Sequence, residues 1–325
     1  MTATVETIRR KVEEQSAFVS RLRDEIGRIV VGQQYMVDRL MLGILANGHV
    51  LVEGVPGLAK TTAIKTLANA MHCQFSRIQF TPDLLPADLI GTLVYNPKDG
   101  GFTTKKGPVF ANIILADEIN RTSPRTQSAF LEAMSERQIS VDGTTYSLER
   151  PFFVVATENH LSSAGAFPLP DSQLDRFLLS FEMPAPDLAT QARIVALHAN
   201  GEPGAAIRAG MKREDLLRCQ DEVRGVRISD NVAEYVARLC QAVREAKEFV
   251  CGASSRAAIA LMQAARVQAY LDGRSAVYPD DVKRTMPCCF RHRLTLKVEA
   301  GQSMEHVHNR LLELLDDVPV PATIR

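Results

Sequence analysis

Five short apolar runs alternate with helical stretches between His49 and about Pro186, and this rhythm limits the folds open to the chain. The runs are rich in Val, Ile, Leu or Phe and lie at 49–53, 75–80, 113–116, 152–157 and 178–183. They lack a clean alternation of apolar and polar residues, which is typical of strands that helices cover on both faces. Strands that alternate with helices predict a parallel sheet with right-handed crossovers. We therefore expect an α/β fold with a five-stranded parallel sheet.

The segments on either side of this region carry helical patterns. Residues 5–29 place apolar side chains at three- and four-residue steps, and a second helix is expected at about 36–46. After Pro186 the strand pattern stops, and helices are expected at about 187–199, 213–224, 229–249, 255–271, 279–290 and 302–315. The predicted organisation is an N-terminal helix (1–28), an α/β core (29–186) and an all-α C-terminal domain (187–325).

Two segments interrupt the strand–helix rhythm and are predicted to be inserted hairpins. The first pairs residues 91–95 with 102–105 across a turn rich in Gly, Asn and Pro. The second pairs 139–141 with 144–148 across Asp142-Gly143, a dipeptide that suits the positive φ angles of a tight hairpin turn.

Composition narrows the class of protein. The chain has 325 residues with 38 Lys+Arg and 38 Asp+Glu, so its net charge of zero argues against obligatory nucleic-acid binding. It has no apolar stretch of the roughly 18 residues that a membrane span needs, and charged residues occupy the start where a secretory leader would be apolar. Its six scattered cysteines have no zinc-ligand spacing and are expected to be free thiols. We expect a cytoplasmic protein without a membrane span.

A glycine-rich loop follows the first predicted strand and opens a helix. It reads Gly54-Val55-Pro56-Gly57-Leu58-Ala59-Lys60-Thr61, with Thr62 next. A strand, such a loop and a helix N-terminus together form a phosphate-binding loop, because backbone amides and the positive helix end hold phosphate oxygens. Lys60 is expected to reach the β- and γ-phosphates of ATP, and the Thr61 hydroxyl to bind Mg²⁺. The alternative is an ordinary turn before an amphipathic helix.

Two carboxylates end the third predicted strand, which reads Ile113-Ile114-Leu115-Ala116-Asp117-Glu118. At the carboxyl edge of a parallel sheet they would face the ligand crevice, with Asp117 toward Mg²⁺ and Glu118 orienting the attacking water. The alternative is an acidic pair at a helix N-terminus. Asn159 follows the next strand and is a candidate to contact the same water. His160 has no second ligand at metal spacing, so a solvated loop histidine is the favoured reading.

These motifs together resemble a family, the MoxR-type AAA+ ATPases. The residues that carry the resemblance are GVPGLAKT, the DEINR segment at 117–121, ATEN at 156–159 and LPDSQLDRF at 169–177, together with both inserted hairpins. The resemblance spans roughly residues 5–300 and implies an AAA+ core with a helical lid. The chain departs from the usual family pattern at Glu158 and His160, where Gln and Pro are typical.

The resemblance implies four further site residues. Gly32 and Gln33 match the segment that packs beside adenine, Arg176 matches an arginine finger that acts on ATP in the neighbouring subunit, and Arg256 matches the sensor-2 arginine of the lid. The alternative is that both arginines pair with nearby acids such as Asp175. A finger that serves a neighbour implies a homo-oligomeric ring, with a hexamer expected.

The function that the resemblance implies is Mg²⁺-dependent ATP hydrolysis by a chaperone-like remodeller or maturation factor. Its partners would be a protein client and a von Willebrand factor A-type adaptor. Two alternatives stay open: a nucleic-acid motor of the helicase type, and a nucleotide-gated scaffold with little hydrolysis. A motor would need basic hairpin tips, and the chain offers Lys98 and Lys105-Lys106 in the first hairpin but acidic Asp142 in the second.

Overall fold

The structure is a computed structural model that describes residues 19–27, 29–30, 32–54, 60–98, 100–158, 166–183, 187–199, 210–250, 252–297 and 304–321. Within these ranges the strands are β1 (Val50–Glu53), β2 (Phe75–Gln79), β3 (Gly91–Asn96), β4 (Gly101–Lys106), β5 (Ile113–Asp117), β6 (Gln138–Val141), β7 (Thr144–Ser147), β8 (Phe153–Glu158) and β9 (Leu179–Glu182). The helices after the helical residues 19–27 are α1 (Gln34–Leu45), α2 (Lys60–Ala70), α3 (Pro86–Ile90), α4 (Pro124–Glu136), α5 (Asp171–Leu174), α6 (Leu188–Ala199), α7 (Arg213–Gly225), α8 (Asp230–Glu245), α9 (Ser255–Leu271), α10 (Pro279–Phe290) and α11 (Met304–Asp317).

Five of the strands form one parallel sheet in the order β2-β5-β8-β1-β9. The α/β prediction is confirmed, and each of the five strands begins and ends within one residue of the predicted run. The order places β5 beside β8, so the carboxyl ends of these two strands are neighbours. The two other strand pairs, β3–β4 and β6–β7, are the predicted antiparallel hairpins.

Both faces of the sheet are covered, as the continuous apolar runs predicted. Alternate residues of β5 and β8 enter two different cores: Ile113 and Leu115 pack on one side with Val155, while Ile114 packs on the other with Val154. The first core includes side chains of α1 and α2, and the second includes side chains of α4. This two-sided burial explains why β5 and β8 carry no polar face.

The C-terminal helices share a core with one side of the sheet. Side chains of α7, α8, α9, α10 and α11 belong to the same buried cluster as β1 and α1, so the all-α region packs directly on the α/β core. Two of these helices carry serine caps, because Ser229 and Ser254 accept hydrogen bonds from the backbone amides of Val232 and Ala257. The proposed domain boundary at 186 lies outside the described residues.

The sequence pattern did not reveal α4. Ser123 caps this helix by accepting from the Thr126 amide, and Pro124 occupies its first turn, which is a recognised start signal. No helix of the described residues combines the length and apolar character that crossing a membrane requires. The five cysteines in the described ranges are free and buried.

Candidate functional site

The carboxyl ends of β1, β5 and β8 meet at one edge of the sheet. In register, Glu53 of β1 lies beside Glu158 of β8, and Gln79 of β2 lies beside Asp117 of β5. The helix α2 begins at Lys60, a few residues after β1 ends. This arrangement brings a helix N-terminus to the edge where parallel α/β sheets bind their ligands.

Lys60 lies between the loop and the acidic pair. Its Nζ donates to the carbonyl oxygen of Gly54 over 3.2 Å, and Gly54 has a φ of 121°, a conformation that suits glycine. Burial lowers the pKa of Lys60, while the nearby charges of Asp117 and Glu118 oppose that shift. The ammonium group is therefore partly desolvated and lies close to the negative charges of Asp117 and Glu118.

Asp117 is fixed by two donors. The Thr157 hydroxyl donates to Asp117 Oδ1 over 2.8 Å, and the Arg77 guanidinium donates to Oδ2 over 2.7 Å. Thr157 is buried on β8, whereas Arg77 is half exposed on β2. The carboxylate is thus oriented from the strands on both sides of β5.

Glu118 is held by the same threonine. Its backbone amide donates to Thr157 Oγ1 over 2.8 Å, so one hydroxyl bridges both acidic residues. Glu118 adopts a left-handed backbone with a φ of 57°, which costs a non-glycine residue about 1–2 kcal/mol. Its carboxylate accepts from Gln79 Nε2 at 3.3 Å and from Arg121 at 3.0 Å. One of these contacts therefore links the Glu118 carboxylate to β2.

Several predicted site residues lie outside the described ranges. These are Val55, Pro56, Gly57, Leu58, Ala59 and Asn159, together with His160. Thr61 and Thr62 lie in the first turn of α2. Gly32 has a φ of 76°, and a Cβ there would lie 2.0 Å from the Thr190 side chain, so glycine is required by both backbone and packing. Gln33 beside it is buried.

Arg176 does not contact Lys60, Asp117 or Glu118 among the described residues. Its guanidinium donates to the Leu131 carbonyl over 2.8 Å and to the Ser135 hydroxyl over 2.6 Å, both on α4. The side chain is half-buried, and it does not pair with Asp175. The ion pair between Arg176 and Asp175 is therefore absent, and the hydrogen bonds of Arg176 hold it against α4.

Arg256 does pair with Asp175, as the alternative reading predicted. The distance from Arg256 Nη1 to Asp175 Oδ2 is 3.1 Å, and the arginine side chain is 63% exposed. A second arginine that the sequence reading missed, Arg293, donates to Asp175 Oδ1 over 2.8 Å and is almost fully buried. Arg293 also donates to the carbonyls of Leu178 and Phe177. One carboxylate thus ties two lid arginines to the core.

A further buried ion pair lies next to the carboxyl ends of β1 and β9. Arg291, in the turn after α10, donates to Glu53 over 3.3 Å and to Glu182 over 3.4 Å. Arg291 and Arg77 belong to no recognised sequence motif, and Thr157 lies in the ATEN segment but was not predicted as a site residue. The signals in the sequence were the charge of Arg77 within a predicted strand and the position of Thr157 in the ATEN segment.

The assembled edge has the parts of an anion site with acid–base capacity. A helix N-terminus and Lys60 supply positive charge, Asp117 supplies a fixed oxygen donor, and Glu118 supplies a second carboxylate within hydrogen-bond reach of neighbouring side chains.

Comparison with known proteins gives a consistent result. Residues 49–179 match the model of the ATPase family associated with various cellular activities (AAA), and residues 241–312 match the model of the AAA lid domain. The uncharacterised protein YeaC of Bacillus subtilis (strain 168) is 40% identical over 95% of this chain and 97% of its own length. Chaperone MoxR1 of Mycobacterium tuberculosis (strain ATCC 25618 / H37Rv) is 42% identical over 89% of this chain and 79% of its own length. A crystal structure from Cytophaga hutchinsonii ATCC 33406, described as a candidate ATPase, superposes with a TM-score of 0.86 at 40% identity and covers 94% of this chain and 96% of its own.

Proposed function

Since this chain belongs to the MoxR family of AAA+ ATPases, we propose that it hydrolyses ATP with Mg²⁺ in a homo-oligomeric ring and uses the energy to remodel protein clients. The observation that carries the proposal is the Thr157 hydroxyl, which bridges Asp117 and Glu118 beside Lys60. If the acidic pair had only a structural role, it would not need to lie beside a helix N-terminus and a partly desolvated lysine.

The nucleotide is proposed to lie along the loop and the start of α2. The loop 54–59 and the first turn of α2, with Lys60, Thr61 and Thr62, would hold the phosphates through backbone amides and the helix dipole. Gly32 and Gln33 would contact adenine. The close approach of Gly32 to Thr190 on α6 supports this assignment. It places the segment before α1 against the first helix of the lid, so that both could border the base.

The residues present suit a magnesium ion. Asp117 and Thr61 offer a carboxylate and a hydroxyl, the hard oxygen donors that Mg²⁺ prefers, and Asp117 is already oriented by Thr157 and Arg77. When bound, the ion would neutralise charge on the β- and γ-phosphate oxygens. Asp117 and Thr61 would therefore be the protein ligands of the ion.

The chemical step needs a water in line with the γ-phosphorus. We assign the orientation of this water to Glu118 and Asn159, at the ends of the adjacent strands β5 and β8. Glu118 accepts hydrogen bonds from Gln79 and Arg121, which orient its carboxylate so that it could accept a proton from the water. Lys60 would offset the negative charge that develops on the phosphoryl oxygens.

Two arginines are proposed to complete the site from elsewhere. Arg176 would act on ATP of the neighbouring subunit, since within its own chain it contacts α4 rather than the acidic pair. Arg256 would reach the γ-phosphate from the lid by leaving Asp175, an exposed pair that costs little to break. A finger supplied in trans requires a ring, and we propose a hexamer.

A protein client is favoured over a nucleic acid by the first hairpin. Tyr95 and Phe102 lie opposite each other on β3 and β4 with ring centroids 5.4 Å apart, and both are exposed, Phe102 to 68%. Leu93 and Val94 on the same hairpin are exposed as well. Such an apolar tip suits a polypeptide segment. The relative named Chaperone MoxR1 points the same way. A von Willebrand factor A-type adaptor and a cytoplasmic location are further parts of the proposal.

The test measures ATP turnover of the purified chain with Mg²⁺, alone and with single- or double-stranded DNA. The proposal expects turnover that Glu118→Gln abolishes and that DNA does not change. Turnover stimulated by DNA, with salt-sensitive DNA binding, would favour the motor instead. Nucleotide binding without any turnover above that of the Glu118→Gln protein would favour the scaffold. Affinity purification of Glu118→Gln with ATP should then retain the protein client.

A further inference from the structure

A cavity of about 460 Å³ lies between the α/β core and the lid, and it is lined by four arginines: Arg137, Arg150, Arg224 and Arg266. We call it the arginine cavity. Arg137 and Arg150 come from the core, while Arg224 lies in the last turn of α7 and Arg266 lies on α9. None of these residues belongs to the proposed nucleotide site.

The arginine cavity lies at the opposite edge of the sheet from that site. Asn47, which also lines it, comes three residues before β1, and Arg150 comes three residues before β8. Because both strands are parallel, their amino ends share one edge and Asp117 and Glu118 lie at the other. The strands of four to six residues separate the two edges by roughly 13–20 Å.

Positive charge in the arginine cavity is only partly compensated. Asp221 is the one carboxylate that the described contacts place against these arginines, at 3.7 Å from Arg150 and 3.4 Å from Arg224. Arg266 has no carboxylate partner among the described residues, and its buried Nε has no hydrogen-bond acceptor. Burial and the charges of Arg150 and Arg224 lower the pKa of Arg137. Four guanidinium groups against one carboxylate leave a strong attraction for an anion.

Two of the four arginines are already held in position. Arg137 donates to the Asn47 side chain over 2.7 Å and to its carbonyl oxygen over 2.5 Å. Arg150 donates to the buried Gln220 side chain over 3.3 Å, and Gln220 in turn donates to the Ile44 carbonyl over 2.7 Å. The buried Nε of Arg150, like that of Arg266, lacks an acceptor among the described residues. The cavity therefore offers oriented donors that a bound ligand would satisfy.

We propose that the arginine cavity binds a compact anion that carries two linked phosphate groups, a ligand of the pyrophosphate class. Guanidinium forks match phosphate oxygens in pairs, and a diphosphate offers charge that balances the excess of about three positive charges. The volume lies within the range of about 300–1,000 Å³ usual for small-ligand pockets. Because no aromatic ring lines the cavity, it has no platform for a nucleobase.

Such a ligand would join the core to the lid. The helix α9 carries Arg266 at the cavity and Arg256, beside Asp175, ten residues earlier, which is about 15 Å along the helix. An anion that contacts Arg137 and Arg150 on the core and Arg266 on α9 would restrain the helix that presents Arg256. Occupancy is therefore expected to raise the thermal midpoint of the chain.

The experiment titrates inorganic pyrophosphate into the full chain by calorimetry, without Mg²⁺ and with ADP at saturation so that the nucleotide site is filled. We expect wild type to bind and Arg266→Gln to bind roughly ten- to a hundredfold more weakly, as expected for the loss of charge-assisted hydrogen bonds. Arg238→Gln is the matched control, since Arg238 lies on α8, pairs with Glu234 and does not line the cavity. Its affinity should equal that of wild type.

Equal affinity in wild type and Arg266→Gln would overturn the proposal, as would no binding to wild type. Citrate that binds more tightly than pyrophosphate would overturn the assignment to phosphate. If Arg266→Gln does not fold, Arg224→Gln replaces it, because that side chain is 60% exposed. ATP turnover of these variants without pyrophosphate should match wild type. Because the titration measures binding and not hydrolysis, it tests this proposal even if the chain proves not to hydrolyse ATP.

Discussion

At the scale of single residues, one hydroxyl organises the acidic pair. Thr157 Oγ1 donates to the Asp117 carboxylate and accepts from the backbone amide of Glu118, so one uncharged group holds both acidic residues. Lys60, Asp117 and Glu118 could be predicted because their order along the chain is a motif. Thr157 and Arg77 could not, because their roles depend on which strands are neighbours in the sheet.

Replacing Thr157 with Val removes the hydroxyl and keeps the shape. We expect ATP turnover to fall by about tenfold or more, and the free energy of unfolding to fall by about 1–3 kcal/mol because the Glu118 amide loses its acceptor. Steady-state turnover and denaturant unfolding measure the two effects. Thr157→Ser keeps the hydroxyl and should stay near wild type, and equal losses in both variants would contradict the role of the hydrogen bonds.

His49 gives a prediction for pH. Its Nδ1 accepts from the Val154 amide and its Nε2 contacts the Met134 carbonyl, an arrangement that fits the neutral ring. Burial, with Arg137 nearby, lowers the pKa of His49 to about 3 from its ordinary 6.5. The unfolded chain therefore binds the proton first, so the stability from neutral His49 is present above pH 6.5 and is lost as pH falls toward 3.

The comparison is between wild type and His49→Gln, which cannot be protonated. Between pH 6 and pH 4 the free energy of unfolding of wild type should fall more steeply, with the difference approaching about 1.4 kcal/mol per pH unit. Urea unfolding at several pH values measures both slopes. Buried His292 is common to both proteins and cancels. Parallel slopes would contradict the neutral buried ring.

At the scale of elements, Asp175 ties the lid to the core. It follows α5 and accepts from buried Arg293, which has 4% of its side chain exposed, and from Arg256, which has 63% exposed. Asp175→Asn should lower the free energy of unfolding by about 2–4 kcal/mol, since it leaves a buried guanidinium without its carboxylate. Arg256→Ala should cost less than about 1 kcal/mol, because that pair is exposed. Denaturant unfolding of both variants measures the two losses. A larger loss for Arg256→Ala than for Asp175→Asn would contradict this account.

The first hairpin gives a separate prediction. Changing Tyr95 and Phe102 to Ser removes two exposed rings at a tip that packs on little else. ATP turnover and stability should stay close to wild type, within about 0.5 kcal/mol for unfolding. Client retention by the Glu118→Gln protein should be lost when both changes are added to it, as pull-down would show. Undiminished retention would contradict a client contact at the tip.

The elements differ in how well the sequence predicts them. Strands whose residues are mostly buried carry apolar runs, so β1, β5, β8 and β9 were predicted to within one residue, and so was the more exposed edge strand β2. The helix α4 was not, since the sequence reading did not use its Ser123-Pro124 start signal. The short helices α3 and α5, of five and four residues, are too brief for a periodic pattern. Their positions follow from tertiary packing.

At the scale of the whole molecule, the core and the lid share one buried cluster, so motion of the lid must be transmitted through packed side chains. The parts proposed to act on one ATP are nevertheless divided. Lys60, Asp117 and Glu118 lie at one edge of the sheet, whereas Arg176 contacts α4 and none of the three. The sequence could indicate this division only through family resemblance, because spacing along a chain does not tell which subunit a side chain serves.

The most direct measurement mixes two variants that should each be inactive, Glu118→Gln and Arg176→Ala, and records ATP turnover across mixing ratios. A finger that acts in trans restores a complete site wherever an Arg176→Ala subunit receives the arginine of a Glu118→Gln neighbour. With random mixing in a ring, turnover should peak near equal amounts at about a quarter of the wild-type rate. Co-purification of differently tagged variants verifies that mixed rings form. Turnover that never exceeds the sum of the two separate variants in such rings would contradict a site shared between subunits.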